Sequence, residues 1–229
     1  MAEWKVQRHE EKYRLSAPQA AELELMLSAL LQKDRYSANG AYFIRSLYFD
    51  TADDADYNDK LIGADRRQKL RLRLYHLDSP AVKLEIKNKT GSLSYKQSTT
   101  LTCAQALALA NGDCEFLLDL PGDTARRAYT FFRREQRRPT ALVDYERTAF
   151  TSPVAQVRIT LDRNIRAAKT SDLFGAGCPM FGVHSGGVCV LEVKYDAFLP
   201  GYLRGVLTSV GPAKMSIGKY ELARQLLDG

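Results

Sequence analysis

Residues 67–77 read RQKLRLRLYHL, and the alternation inside this stretch decides how the remaining strands are read. Successive side chains of a β-strand point to opposite faces. Lys69, Arg71 and Arg73 therefore share one face, and Leu70, Leu72 and Leu74 the other. The pattern recurs on both sides of the stretch. In residues 81–89, Lys83, Glu85, Lys87 and Lys89 oppose Leu84 and Ile86. Thr90-Gly91 then joins this run to a third alternating one, residues 92–102, as a hairpin signal. Upstream, residues 7–15 put Arg8, Glu10, Lys12 and Arg14 together. Downstream, Arg158, Thr160 and Asp162 stand against Ile159 and Leu161 in residues 156–165. Glu192 and Lys194 stand against Leu191 and Val193 in residues 187–196.

A single strand of this kind is ordinary, because an antiparallel sheet commonly turns one face to water. Five of them, with Lys or Arg in nearly all, are not. Paired side by side they would set like charges opposite one another, which is destabilising unless something neutralises them. A polyanion lying on the charged face would do so. The apolar faces would then point outward under a cover of helices, the reverse of an ordinary small barrel. The acids Glu10, Glu85, Asp162 and Glu192 would balance charge or hold a divalent cation, since carboxylate oxygens suit Mg²⁺ or Mn²⁺.

Further strands are expected at residues 42–50 and 140–151. A helix opens at Ser16, with Pro18 in its first turn and Leu23, Leu27, Leu30 and Leu31 on one side. A short helix at 53–61 stops at Gly63. Helical patterns cover 104–118 and 123–135, residues 171–187 form a loop, and a last helix occupies 216–227 with Ser216 as its N-cap. Free amides at that end, flanked by Lys214 and Lys219, would attract phosphate as well. The expected class is α+β and mainly antiparallel: an eight-stranded tunnel-like barrel with helices packed outside, in one domain over residues 1–229.

The 229 residues suffice for one well-filled core, and 45% hydrophobic with 26% charged residues is a globular composition. The net charge of +6, from 33 Lys+Arg against 27 Asp+Glu, favours phosphate-bearing partners. Cys103, Cys114, Cys178 and Cys189 have no metal spacing and read as thiols of a reducing compartment. His9, His76 and His184 lie far apart and read as surface or structural residues. No run of 18 apolar residues and no leader pattern is present, so a cytoplasmic protein is expected. There is no Gly-rich phosphate loop, dinucleotide fingerprint or Ser-His-Asp order. The bases lack the interleaved aromatic platform of single-strand binders, which argues against nucleic acid. The arginines at 126, 127, 133, 134, 137 and 138 read as a solvated helix face that could also draw in a polyanion.

Several runs, in order along nearly the whole chain, resemble the VTC domain, the polyphosphate polymerase module of vacuolar transporter chaperone complexes and their bacterial relatives. They include Arg8-His-Glu-Glu-Lys-Tyr13, Arg45-Ser-Leu-Tyr-Phe-Asp-Thr51, Tyr57-x-x-Lys60-x-x-Gly63 and the stretch from Arg67 to Tyr75. Leu84-Glu-Ile-Lys87, Tyr95-Lys96, Tyr145-Glu-Arg-Thr-Ala-Phe150, Ile159-Thr-Leu-Asp162, Leu191-Glu-Val-Lys194 and Lys214-Met-Ser-Ile-Gly-Lys219 continue the match. That domain is similar to the triphosphate tunnel metalloenzymes, the CYTH-like superfamily. The resemblance implies an eight-stranded tunnel binding ATP, polyphosphate, pyrophosphate or phosphate with Mn²⁺ or Mg²⁺, and transfer of the γ-phosphate of ATP to a growing polyphosphate chain. It implies catalytic parts for Lys12, near the transferred phosphate, and for Arg71, Arg73 and Arg147. Lys87 and Lys96 would bind phosphates along the tunnel, and Lys214, Ser216 and Lys219 would grip the chain at one mouth. Arg8, Lys69, Lys83, Tyr145, Arg158 and Lys194 complete the expected lining, with Glu192 as metal ligand, supported by Glu10 and Glu85. The wider superfamily opens with Glu-x-Glu-x-Lys, and Arg8 stands at the first acid. That departure fits the VTC branch and removes a ligand used for hydrolysis. A triphosphatase on the same tunnel, or a non-catalytic module for polyphosphate or inositol phosphates, are the alternatives.

Overall fold

The structure, a computed structural model, describes residues 9–91, 93–184, 187–216 and 218–229. Arg8 lies outside the described residues, as do Gln7 and Ser92 of the expected strands, Ser185 and Gly186 of the expected loop, and Ile217 of the last motif. In chain order the elements are β1 (His9–Leu15), α1 (Ala17–Leu30), β2 (Gln32–Lys33), β3 (Tyr42–Asp50), α2 (Ala55–Leu61), β4 (Arg66–Leu74), β5 (Ala81–Thr90) and β6 (Leu93–Thr102). They continue as α3 (Cys103–Ala110), α4 (Asp123–Arg134), β7 (Arg138–Ser152), β8 (Val157–Ala168), β9 (Phe181–Gly182), β10 (Cys189–Tyr195), α5 (Gly201–Ser209), β11 (Ala213–Lys214) and α6 (Lys219–Asp228).

The fold is α+β with a large antiparallel sheet, as the alternating runs imply. Among the described residues eight longer strands carry it, and β2, β9 and β11 add two residues each. Among the same residues its pairing path has two ends, β11 and β6, so the sheet is not the closed ring expected. With only Ala213 and Lys214, β11 is too short to template another strand, which is how natural sheets blunt an edge.

The chain divides into two compact units. The first takes described residues of Met1–Phe43, Tyr145–Ile165 and His184–Ile217. In it β11, β1, β10 and β8 pair in that order, all antiparallel. The register places Lys12 opposite Glu192 and Glu10 opposite Lys194. Leu15, Ile159, Leu161, Leu191 and Val193 pack against Leu23 and Leu27 of α1 and Leu203 and Leu207 of α5. Fully burying each such side chain contributes roughly 1.5–3 kcal/mol. Ser16 caps α1 as its spacing implies: its hydroxyl accepts from the Gln19 backbone amide, and the Gln19 side chain accepts from the Ser16 backbone amide. Leu30 departs from the expected stripe and is exposed.

The second unit takes Ile44–Asp144, Arg166–Val183 and described residues of Gly218–Gly229. Here β3, β4, β5 and β6 pair antiparallel, with Leu47 opposite Leu72 and Leu72 opposite Leu84. Leu70, Leu72, Leu74, Leu84 and Ile86 are fully buried, so the apolar faces lie under cover. α2 lies against β4, and α3 and α4 lie against β6. Phe132 of α4 meets Phe49 edge-on, with ring centroids 5.1 Å apart. The β5–β6 connection uses Gly91 at φ +57°, where a Cβ would be strained.

Three expectations need correction. The helical pattern at 104–118 breaks into α3 and a separate 3-10 turn at Glu115–Leu118, because the chain turns at Gly112 with φ +92°. The last helix starts at Lys219, and its N-cap is Gly218, not Ser216. Glu221 reaches back to accept from the Gly218 amide at 2.9 Å, which satisfies the helix start without a hydroxyl. Ser216 is exposed. The stretch read as a loop at 171–187 contains β9, which pairs with Arg166 and Ala167. α5 was not expected, because Gly201, Gly205 and Pro200 mask its periodicity.

Candidate functional site

The second unit gathers the charged faces of β3, β4, β5 and β6 around Glu85. Alternation brings Arg71, Arg73, Glu85 and Lys96 to one face, and the register puts Arg71 directly opposite Glu85. Glu85 is 2% exposed. Arg71 donates to its Oε2 from Nη2 at 2.7 Å and from Nε at 2.8 Å. Lys96 donates to Oε1 at 2.8 Å, and Arg73 Nη1 lies 3.5 Å from Oε2. Burial alone would raise this carboxyl, but Arg71, Arg73 and Lys96 outweigh it and hold it well below the usual carboxylate range. Three bases against one acid leave a surplus of positive charge.

Beside it runs a row of like charges. Lys69, Lys87 and Lys96 face one another in register across β4, β5 and β6. Lys83, opposite Arg73, is exposed and donates to Thr100 Oγ1 at 2.6 Å. The β3 strand adds Tyr48, opposite Arg71, and Ser46, opposite Arg73. Arg71 donates to the Tyr48 hydroxyl at 3.1 Å, and Arg73 donates to Ser46 Oγ at 3.3 Å. Burial would raise the Tyr48 phenol, yet Arg71, Arg73 and Lys69 together bring it below its ordinary value. α6 supports this face: Tyr220 stacks on Tyr48 with centroids 5.0 Å apart, and Glu221 pairs with Lys69. Lys219 is half-buried at the start of that helix. None of Ser46, Tyr48, Tyr220 or Glu221 was among the expected site residues. The polar period-two face Ser46, Tyr48, Asp50 was the one available signal.

The first unit carries a second cluster on β1, β7, β8 and β10. Arg147 holds Asp162 in a two-point pair, Nε to Oδ1 at 2.6 Å and Nη2 to Oδ2 at 2.8 Å, and Nη2 lies 3.9 Å from Glu192. Its guanidinium sits 5.3 Å from the ring centroid of buried Tyr145. Burial would lower Arg147, but Asp162, Tyr145 and Glu192 hold it well above its ordinary value. Lys194 stands between two carboxylates, 2.8 Å from Glu192 and 3.9 Å from Glu10. Lys12 lies 3.1 Å from Glu10. Arg158 donates to Asp34 at 2.7 Å and to the Tyr42 hydroxyl at 3.4 Å. Lys214, on β11 opposite Tyr13, lies 3.6 Å from Glu11.

The register therefore revises the expectation that like charges face each other throughout. Lys12–Glu192, Glu10–Lys194 and Arg71–Glu85 are opposite-charge pairs, while Lys69–Lys87–Lys96, Arg73–Lys83 and Arg158–Lys194 are not. Among the described residues no three His, Cys, Asp or Glu come together as a ready-made metal centre. A groove lined by Asp53, Asp56, Asp59, Gln68, Glu135 and Arg137 gathers none of the expected site residues. No described helix is long and apolar enough to cross a membrane.

Among solved structures, one from Bacillus halodurans, described as a candidate adenylate cyclase, aligns at 12% identity over 93% of this chain and 95% of its own, with a TM-score of 0.55. A Pyrococcus horikoshii protein aligns at 12% identity over 95% of this chain and 99% of its own, with a TM-score of 0.49. The Mimivirus capping enzyme triphosphatase aligns at 9% over 90% and 89%, with a TM-score of 0.45. At such identity the Bacillus likeness shows the fold. No curated protein matches the chain. A large antiparallel sheet with helices against it defines the class, an α+β fold shared with the Bacillus structure. The chain belongs to the VTC domain family, whose description matches residues 7–228.

Proposed function

We propose that this protein is a polyphosphate polymerase that moves the γ-phosphoryl group of ATP onto the end of a polyphosphate chain. The bond from the γ-phosphorus to the ADP oxygen breaks, a terminal polyphosphate oxygen bonds to the same phosphorus, and ADP leaves. The observation that carries the reading is the in-register row Lys69–Lys87–Lys96 beside Arg71 and Arg73. Like charges set directly opposite cost stability, and an anion of many oxygens offsets that cost. Phosphoryl transfer asks the protein chiefly for in-line positioning and spread neutralisation of charge. Arg71, Arg73 and Arg147 offer planar forks for pairs of oxygens, whereas Lys12, Lys87 and Lys96 are mobile point charges suited to a sliding chain. Glu85, with both oxygens taken by bases, acts as the counter-ion that holds those bases in place.

Mn²⁺ or Mg²⁺ fits the first unit's cluster. Glu10 and Glu192 already share one cation, the Lys194 ammonium, and their donors are the hard oxygens these ions prefer. Glu192, with Glu10, would hold the ion, whose chemistry is to neutralise charge on phosphate oxygens. The four free cysteines fit a reducing, cytoplasmic setting. Incubating purified protein with ATP and Mn²⁺ tests the reading: long polyphosphate with released ADP is expected. Phosphate without polymer would point instead to triphosphate hydrolysis. Tight polyphosphate binding without turnover would point to a binding module.

A further inference from the structure

Thr160 lies on β8 on the charged face of the first unit, opposite Glu192, which is itself opposite Lys12. It is 4% exposed, and among the described residues its hydroxyl has no hydrogen-bond partner. Such groups are uncommon in folded proteins, and each costs free energy unless something pairs with it. A threonine hydroxyl can donate once and accept twice. The groups around it explain what is missing. Lys12, Arg147, Arg158 and Lys194 are donors only. The acceptors in reach of the same face are engaged by charged donors, Asp162 by Arg147 and Glu192 by Lys194. Those carboxylates keep further lone pairs, but among the described residues none lies within hydrogen-bond distance of the hydroxyl, and phosphate oxygens are acceptors only.

We propose that Thr160 is a further phosphate-binding residue, whose hydroxyl donates to an anionic oxygen of a triphosphate or polyphosphate lying on this face. The inference rests on reading the face as a phosphate site. It separates Thr160 from its strand neighbours: Arg158 and Asp162 already have protein partners, whereas the Thr160 hydroxyl is held for the ligand.

The test uses Thr160→Val, which keeps the branched shape and removes the hydroxyl, with Thr160→Ser as the control that restores it. Tripolyphosphate is titrated into the full chain by calorimetry, with EDTA and separately with Mn²⁺, and thermal unfolding of the free protein is measured alongside. Expected for Thr160→Val is roughly tenfold weaker tripolyphosphate binding in both buffers, the scale of one hydrogen bond to a charged group. Its unliganded melting temperature should be equal to or above the parent's, because a buried unpaired hydroxyl has been removed. Thr160→Ser should bind like the parent. A merely structural threonine would lower melting temperature and affinity together, and that outcome overturns the proposal. Unchanged affinity in Thr160→Val, with a parent that binds, overturns it while leaving the phosphate site standing. Loss confined to the Mn²⁺ buffer also overturns it, by assigning the hydroxyl to the cation's water. A parent chain that fails to bind tripolyphosphate in either buffer removes both readings.

Discussion

Glu85 keeps its charge in a place where burial works against it, and three bases are the reason. Its carboxyl is depressed in the folded chain, so its contribution is full above the ordinary glutamate value of about 4.3 and is lost as pH falls below it. Urea midpoints measured between pH 7 and pH 3 should therefore fall on acidification. Glu85→Gln should flatten the acid limb while lowering stability at pH 7 by about 3 kcal/mol, since it strands buried bases. An acid limb as steep as the parent's would remove Glu85 from the account. The first cluster divides binding from chemistry differently. Glu192→Gln should cut ADP release from ATP by about a hundredfold or more, the scale of a lost transition-state electrostatic contact, while changing tripolyphosphate affinity far less. Arg71→Ala should weaken both. Activity like the parent's in the Glu192 variant would sink its assignment to the metal.

On the elements, alternation made β1, β4, β5, β8 and β10 readable with their faces, because period two is a strong signal wherever one face is wholly apolar. β3 was readable as a strand, but its part in the site was not: Ser46 and Tyr48 matter only once the register sets them opposite Arg73 and Arg71. Tyr220 and Glu221 were hidden for a related reason. On a helix they read as interior and solvent-facing residues, and only packing reveals the stack on Tyr48 and the pair with Lys69. Ser216 shows the opposite failure, a cap signal that the helix does not use, because it starts at Lys219 with Glu221 accepting from the Gly218 amide. The row across β4, β5 and β6 carries its own prediction. Lys87→Gln should raise stability in urea by about 0.5 kcal/mol, by relieving repulsion across the strands, while weakening polyphosphate binding. A variant both less stable and equally tight would show that the row is structural.

For the molecule, the net charge of +6 is a weak guide beside where the charges sit. Arg71, Arg73 and Arg147 are largely shielded from solvent, whereas the side chains of Arg126 and Arg133 on α4 are 69% and 60% exposed. Exposed charges lose their reach as the Debye length shrinks from about 10 Å at 0.1 M salt to about 3 Å at 1 M, and shielded ones lose less. Tripolyphosphate affinity should therefore fall by only about tenfold over that range. A thousandfold fall would place binding on the α4 arginines. The two-unit division has no counterpart in composition, because the chain enters each unit three times and leaves no linker to read. That routing also governs how the protein is made. β1 leaves the ribosome well before its partner β10, and the Gln19–Val210 hydrogen bond of the same unit spans 191 residues. At about 5–20 residues per second, β1 waits roughly ten to forty seconds for its partner. Throughout that interval it is an open strand edge in a crowded cell. Its Glu10, Glu11, Lys12 and Arg14 then serve a second purpose, as charges that keep a nascent strand from pairing with the wrong chain.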